Sequence, residues 1–216
     1  MENTFIDSLR DLPFIIISLV IAFSVHEFAH AYTAYKFGDN TAAREGRLTL
    51  SPRSHIDPIG AIAIFLLGFG WARPVPVNPR NFKNPRTAGI LVSLAGPASN
   101  LILATIGMFI LIQLVKLGIS DGSNYGSTLT DFFQVFIQLN VILFVFNLLP
   151  IPPLDGYRII FDLVPRRVQW TLNKYEAYGM IIFLILVITP LNAYTIGYLF
   201  RTVVPGIMYG LQGIFV

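Results

Sequence analysis

The stretch LPFIIISLVIAFSVHEFAHAYTAYKF, residues 12–37, decides the fold class because it is long and apolar enough to cross a lipid bilayer. Two serines are the only polar side chains of its first half. The segment then brings His26, Glu27 and His30 together within a single helical turn. A bilayer strongly disfavours unpaired ionisable groups, so these three side chains need partners inside the protein.

The composition agrees with a membrane protein in contact with a lipid bilayer. Of the 216 residues, 54% are hydrophobic and 12% are charged, whereas about 25% are charged in an ordinary soluble domain. The absence of cysteine excludes disulfides and thiolate metal sites. The net charge of +3 comes from loop Lys and Arg residues, which indicate orientation in a membrane and not binding of nucleic acid.

Four segments are predicted to span the membrane, and together they suggest one domain over residues 1–216. They are Leu12–Phe37, Ala88–Leu117, Phe132–Leu149 and Ala177–Phe200, the last interrupted at Thr189 and Pro190. We expect a catalytic core of about residues 12–165 and a C-terminal transmembrane or interfacial region of residues 177–216. Within that region, residues 201–216 are expected to lie along the interface or to return into the bilayer.

The segment Ile59–Trp71 is apolar but too short to cross a bilayer comfortably, so we expect it to be re-entrant. The flanking stretches 46–58 and 71–82 have extended character, and the prolines of the second exclude a helix. The sequence therefore predicts an all-α polytopic membrane protein. About four transmembrane helices, a short re-entrant segment and a small β ribbon at the cytoplasmic membrane face make up this prediction.

The distribution of Lys and Arg predicts the orientation. Twelve of the 15 lie in residues 36–86 and 158–174, and the remaining three are Arg10, Lys116 and Arg201. Positively charged loops stay in the cytoplasm, so both long loops are predicted to be cytoplasmic and the N-terminus outside. The expected location is the cell membrane of a prokaryote, with the active site toward the cytoplasmic side.

His26, Glu27 and His30 form an H-E-x-x-H pattern, which is typical of zinc sites. Histidines four residues apart project from one helix face and can reach a single ion. The intervening glutamate can accept a proton from water activated by the metal. A polar cluster bonded only within the protein is the alternative interpretation.

A catalytic zinc site usually takes three protein ligands, so a third is needed. The candidates are Asp39, His55, Asp57 and Asp155. The first three lie among loop charges and are expected to be solvated or interfacial. Asp155 differs because it follows the proline-broken, apolar end of the third span, where Gly156 allows close backbone approach. His26 is about 20 Å of helix from the outer end of the first span, which places it at a depth similar to that of Asp155.

Three motifs in this order resemble the site-2 protease family of intramembrane zinc metalloproteases. They are H-E-x-x-H, LAGPASN at residues 94–100 and NLLPIPPLDG at residues 147–156. The resemblance covers about residues 12–165 and is strongest to the small prokaryotic branch without PDZ or CBS domains. It implies that His26, His30 and Asp155 bind one Zn²⁺ per chain and that Glu27 is the general base.

The same resemblance implies further roles at the site. Asn147 matches an asparagine that engages the substrate or stabilises the oxyanion. Asn100 is similar to a position that contributes to substrate binding, with helix packing as the alternative role. The proline-rich stretch at Pro74, Val75, Pro76 and Val77 would present an open edge to a substrate unwound from its helix.

The function expected from the resemblance is hydrolysis of peptide bonds in or near transmembrane segments of single-span membrane proteins, in regulated intramembrane proteolysis. A zinc or proton-coupled transporter is the alternative class, because carriers also place His, Glu and Asp within membrane spans. A carrier needs a polar route to both faces, and the predicted fourth span has no ionisable residue. The substrate, the need for a prior cut and the oligomeric state are left open by the sequence.

Overall fold

The computed structural model describes residues 11–60, 63, 70–119 and 124–216, and over these ranges the chain is mainly α-helical. The helices are α1 (Leu12–Lys36), α2 (Thr41–Arg44), α3 (Pro85–Lys116), α4 (Asn124–Asn147), α5 (Asp155–Leu163), α6 (Arg166–Ile188) and α7 (Ile196–Phe215). Short 3-10 turns lie at Pro52–Ser54, Pro79–Asn81 and Pro190–Tyr194.

Four of the described helices are long and apolar enough to cross a membrane: α1, α3, the part Gly126–Asn147 of α4, and α6. The prediction of an all-α protein with about four transmembrane helices is confirmed at this level. Large apolar side chains such as Ile17, Ile102, Phe109 and Ile181 are exposed on these helices. Such outward-facing apolar surface suits contact with lipid chains.

The boundaries of the predicted spans need correction, most of all at the C-terminal end. The second helix begins at Pro85 and not at Ala88, and the third begins at Asn124, before the predicted Phe132. The predicted interruption of the fourth span at Thr189 and Pro190 is confirmed, but its bounds of 177–200 are wrong, because α6 begins at Arg166 and residues after Ile196 belong to the separate helix α7. Pro190 separates them, since proline has no N–H for the helix ladder.

The largest apolar core lies between α3, α4 and α7. Its buried members are Ala104, Met108, Ile112, Ile137, Val141, Val145, Val204 and Leu211. Two of them belong to the stretch 201–216, which packs against α3 and α4 as part of α7. Helix α1 packs against α3 and α4, and α5 packs against α3. This packing brings His26 and His30 of α1 close to Asp155 at the start of α5.

The predicted β ribbon is wrong, because the described residues contain no sheet. The two stretches meet at one isolated antiparallel bridge between Ile56 and Ala72, supported by the Arg73 N–H, which donates to the His55 carbonyl at 2.7 Å. Pro74 and Pro76 lack the N–H groups that would continue a ladder. We call residues 72–77 the strap.

The predicted re-entrant segment 59–71 falls largely outside the described residues. Its two described ends are adjacent, since a Cβ added to Gly60 would lie 2.1 Å from the Trp71 carbonyl oxygen. The path between them lies outside the described residues, and the re-entrant segment stays unsupported.

Two of the residues expected to be solvated are completely buried, namely Asp39 and His55. Asp39 accepts hydrogen bonds from the Thr41 and Asn78 N–H groups and from the Asn81 amide, at 2.7–3.0 Å. Burial opposes its ionisation, but hydrogen bonds from Thr41, Asn78 and Asn81 outweigh burial and lower its pKa. The ionised carboxylate thus joins the end of α1 to the turn that precedes α3.

Candidate metal centre

Three potential ligand atoms converge where α1 meets the start of α5. The Nε2 atoms of His26 and His30 are 3.0 Å apart, and each lies 3.2 Å from Oδ2 of Asp155. Donor atoms arranged tetrahedrally at about 2.1 Å from one ion are about 3.4 Å apart. The observed separations are slightly shorter than this, so the three atoms can hold one small cation without moving apart substantially. Both histidines are buried.

The second ring nitrogens fix the tautomers of both histidines. Nδ1 of His26 is 2.7 Å from the amide oxygen of Asn100, and Nδ1 of His30 is 2.7 Å from the Val92 carbonyl oxygen. Both partners are acceptors, so each neutral ring carries its proton on Nδ1 and presents the Nε2 lone pair to the centre. Asp155 Oδ2 is buried and receives no hydrogen bond there. Three lone pairs facing one another in a buried space fit a bound cation.

A chain of neutral amides holds His26 in this orientation. The Asn100 side chain accepts from His26 and donates to Oδ1 of Asn140 at 3.1 Å. Asn140 in turn donates to the Phe136 carbonyl at 2.9 Å. Both asparagines are completely buried. Outer partners of this kind fix the orientation of metal-binding histidines.

Two glycines permit the close packing that forms the centre. A Cβ on Gly96 of α3 would lie 2.3 Å from Nε2 of His30 and 2.6 Å from Nε2 of His26. A Cβ on Gly156 would lie 2.2 Å from the Leu148 carbonyl oxygen at the end of α4. The prediction that Gly156 allows close backbone approach is confirmed, and this packing places Asp155 opposite the histidines.

Glu27 lies beside the centre and is buried. Its Oε2 accepts a hydrogen bond of 2.9 Å from the Val75 N–H of the strap. Glu27, both histidines and Asp155 line one cavity of about 820 Å³. The strap therefore contacts the predicted general base directly.

Asn147 and most of the predicted substrate-binding stretch line the same cavity. Asn147 donates to the Leu143 carbonyl of its own helix at 3.0 Å, and Pro74, Val75 and Val77 form part of the wall. Pro76 lies between them and is half-buried. Asn100 is placed differently from its predicted role in substrate binding, since it is enclosed behind His26.

The other candidate ligands lie elsewhere. His55 donates through Nε2 to the Thr49 carbonyl at 2.6 Å, and Asp57 accepts from the N–H groups of Ile59 and Gly60. Asp39 holds the loop after α1, as described above. Among the candidates, the structure brings only Asp155 to the two histidines within the described residues.

Several residues that contact the centre or the strap were not predicted from the sequence. Gly96 and Asn140 carry no local pattern that separates them from ordinary helix-packing residues. The buried Arg47 and its contacts with the strap also carried no signal beyond a cytoplasmic positive charge. The LAGPASN motif contained the available hint, since a small residue and an asparagine four positions apart lie on one helix face.

The chain is similar to a peptidase family and to proteins provisionally named zinc metalloproteases. A model of peptidase family M50 matches residues 115–189, which include Asn147 and Asp155. YwhC of Bacillus subtilis (strain 168), provisionally named a zinc metalloprotease, is 56% identical over 185 residues, covering 86% of this chain and 84% of YwhC. No solved structure matches the chain significantly.

Two mycobacterial proteins named Rip2, also provisionally described as zinc metalloproteases, are more distant relatives. The protein of Mycolicibacterium smegmatis is 33% identical over 195 residues, covering 85% of this chain and 72% of Rip2. That of Mycobacterium tuberculosis strain H37Rv is 32% identical over 188 residues, covering 85% and 70%. The fold and the centre define a membrane metallopeptidase. The chain belongs to peptidase family M50, the site-2 protease family, as the sequence motifs predicted.

Replacing Gly96 by alanine is expected to reduce metal binding while preserving the helices. The added Cβ would occupy the space beside both Nε2 atoms, whereas alanine is favourable in a helix. Elemental analysis should show a large loss of bound metal in Gly96→Ala with unchanged helical circular dichroism. Gly206→Ala is the matched control, because no atom lies within 4 Å of its added Cβ. Full metal content in Gly96→Ala would contradict the proposed position of the ion.

Asn100→Ala separates the orienting role from a role in substrate binding. If Asn100 orients His26, its loss should lower zinc affinity about 10- to 100-fold, as removal of outer partners generally does. Competition with a fluorescent zinc chelator would measure this affinity. An increase in KM with unchanged zinc affinity would instead support the predicted contact with substrate.

Proposed function

We propose that this protein is an intramembrane zinc metalloprotease that hydrolyses peptide bonds in or near the transmembrane segments of single-span membrane proteins. The observation that carries the proposal is the convergence of His26, His30 and Asp155 next to Glu27. This convergence lies in a cavity between helices that are long enough to span a membrane. Membership of family M50 supports the proteolytic chemistry.

Zinc is the metal that suits this ligand set best. Two imidazole nitrogens and one carboxylate oxygen form the protein ligands of known catalytic zinc sites, which leave a further position for water or substrate. The provisional names of YwhC and Rip2 as zinc metalloproteases support the same metal. When bound, zinc lowers the pKa of water and polarises the carbonyl of the bond to be cleaved.

The side chains around the cavity supply the remaining chemistry. Glu27 is positioned to accept a proton from the attacking water and to deliver a proton to the departing amine. Asn147 lines the cavity on the α4 side, where its amide can donate to the developing oxyanion. With Oε2 bonded to Val75, Oε1 of Glu27 is the oxygen available for proton transfer.

The cavity walls support an apolar, membrane-derived substrate. Ile15, Leu19 and Phe23 of α1 line one side, and Ile142 and Leu143 of α4 line another. A transmembrane helix hides its carbonyls in hydrogen bonds, so its cleavage requires local unwinding. The strap can pair with the unwound backbone through its carbonyl groups and the Val77 N–H, because the Val75 N–H is already bonded to Glu27. Processing of this kind would serve regulated intramembrane proteolysis.

Glu27→Gln is expected to abolish cleavage while zinc remains bound. Glutamine keeps the size of the side chain and can accept from the Val75 N–H, but it cannot take a proton at neutral pH. The assay is cleavage of a fluorescent single-span substrate by the purified protein in proteoliposomes, with zinc content measured on the same samples.

Glu45→Gln is the matched control, since this exposed glutamate lies in the loop after α2. Retained turnover in Glu27→Gln would remove Glu27 as the base. Zinc flux into sealed vesicles without proteolysis would favour the transporter class.

We further propose that the N-terminus faces outward and that the centre opens toward the cytoplasm of a prokaryotic cell. The Lys and Arg residues cluster in residues 36–86, between the α1 and α3 spans, and in residues 158–174, which form α5 and the first turns of α6. Positive loops of this length remain cytoplasmic.

The orientation can be read with single cysteines, because the chain has none of its own. Ser51 and Leu117 are exposed in loops at opposite ends of α3. In intact cells a membrane-impermeant maleimide should label Leu117→Cys and spare Ser51→Cys, and permeabilisation should expose both. Labelling of Ser51→Cys alone in intact cells would show the opposite orientation.

A further inference from the structure

Arg47 is a buried cation that the catalytic proposal does not use. It is 5% exposed although it lies in a loop between two helices. Its Nη2 donates to the carbonyl oxygens of Arg73 and Pro74 at 2.5 and 3.3 Å. A buried guanidinium needs acceptors, and both of these carbonyl groups belong to the strap.

The main chain of Arg47 is anchored as well as its side chain. Its N–H donates to the Ala42 carbonyl of α2 at 2.8 Å. Helix α2 follows Asp39, whose hydrogen bonds fix the end of α1. Arg47 therefore connects the rigid end of α1, the helix that carries Glu27, to the strap.

The strap can reach Glu27 through few backbone donors. Pro74 and Pro76 have no N–H, so Val75 provides the one backbone donor in residues 74–76, and that donor is bonded to Oε2 of Glu27 at 2.9 Å. Because the Pro74 carbonyl and the Val75 N–H belong to the same peptide unit, holding one fixes the direction of the other.

Electrostatics also links the side chains of Arg47 and Glu27. Burial and the neighbouring Arg73 lower the pKa of Arg47, and the Glu27 carboxylate opposes this shift. The Arg47 charge therefore lies within electrostatic reach of Glu27. The fork of the guanidinium suits this role, because its donors have fixed directions.

We propose that Arg47 is a positioning residue for the general base. By binding the carbonyls of Arg73 and Pro74 it directs the Val75 N–H at Glu27, and this hydrogen bond orients the carboxylate toward the metal centre. The inference rests on the proposed proteolytic function. It assigns a catalytic consequence to a loop residue that does not itself line the cavity and acts through the backbone of the strap.

The experiment measures kcat, KM and zinc content for Arg47→Met, Arg47→Lys and Val75→Pro in the full-length protein. The assay uses proteoliposomes and the fluorescent single-span substrate. Methionine keeps the length of the side chain without its donors, and Val75→Pro deletes the N–H that reaches Glu27. Arg53→Met is the matched control, since Arg53 is an exposed arginine of the same loop.

Arg47→Met and Val75→Pro should each lower kcat about 10- to 100-fold, the scale expected from misplacing a catalytic group by about 1 Å. Bound zinc in both variants, and KM in Arg47→Met, should stay within about twofold of the unsubstituted protein, since a positioning effect on the base leaves the ligands in place. Arg47→Lys should recover part of kcat, and Arg53→Met should match the unsubstituted protein. The double variant Arg47→Met/Val75→Pro should lose no more activity than Val75→Pro alone.

Three results would overturn the inference. One is a fall in kcat that follows a parallel loss of zinc or of folded protein. Another is a double variant whose loss equals the product of the single losses. The third is an unchanged kcat in Val75→Pro. This result would show that the Val75 N–H does not orient Glu27, even if Arg47→Met does not fold.

Glu27→Gln measured alongside keeps the two proposals apart. If the unsubstituted protein does not cleave the substrate, the proposed function itself fails. If Glu27→Gln retains full turnover, Glu27 is not the base, and the positioning role of Arg47 fails with it. If Glu27→Gln is inactive while Arg47→Met and Val75→Pro are fully active, the positioning role of Arg47 alone fails.

Discussion

The structure depends on three acceptor atoms that face one another at 3.0–3.2 Å in a buried space between apolar helices. Little water can screen their mutual repulsion there, and an unpaired carboxylate is costly to bury. A divalent cation would remove this conflict and turn it into an attraction between α1 and α5. The packing of these helices therefore depends on what occupies the centre. Gly96 and Gly156 allow the close approach, because a side chain at either position would clash with its neighbours.

Charge balance explains why the outer partners of the histidines are neutral. Asp155 and Glu27 together carry two negative charges, which a divalent cation would offset. A carboxylate behind His26, a common arrangement in soluble zinc enzymes, would add uncompensated charge within the bilayer. Asn100, Asn140 and the Val92 carbonyl orient the rings without that charge. An amide relay is thus the arrangement suited to a metal site inside a membrane.

The parts of the site that could be predicted are those with a local signal. His26 and His30 share a helix face because of their spacing, and Asp155 is conspicuous as a carboxylate in an apolar, proline-broken stretch. Gly96 and Asn140 contribute through contacts over many residues of sequence, which no local pattern records. The interruption at Pro190 could be predicted because proline has no N–H for the helix, whereas the start of that span at Arg166 could not, because its first turns are polar.

Under the proposed function, the strap would link the binding of substrate to the orientation of Glu27, the proposed base. Its Val75 N–H holds Glu27, and its neighbouring residues form the cavity wall on which an unwound peptide would lie. A peptide that pairs with the strap must therefore do so without taking this N–H, or Glu27 loses its orientation. Pro74 and Pro76 offer no donor, so the Val75 N–H would serve the base, while the Val77 N–H and the strap carbonyls that Arg47 does not bind would serve the substrate. The prolines that prevent a regular sheet thus also leave the Val75 N–H as the strap's donor to Glu27.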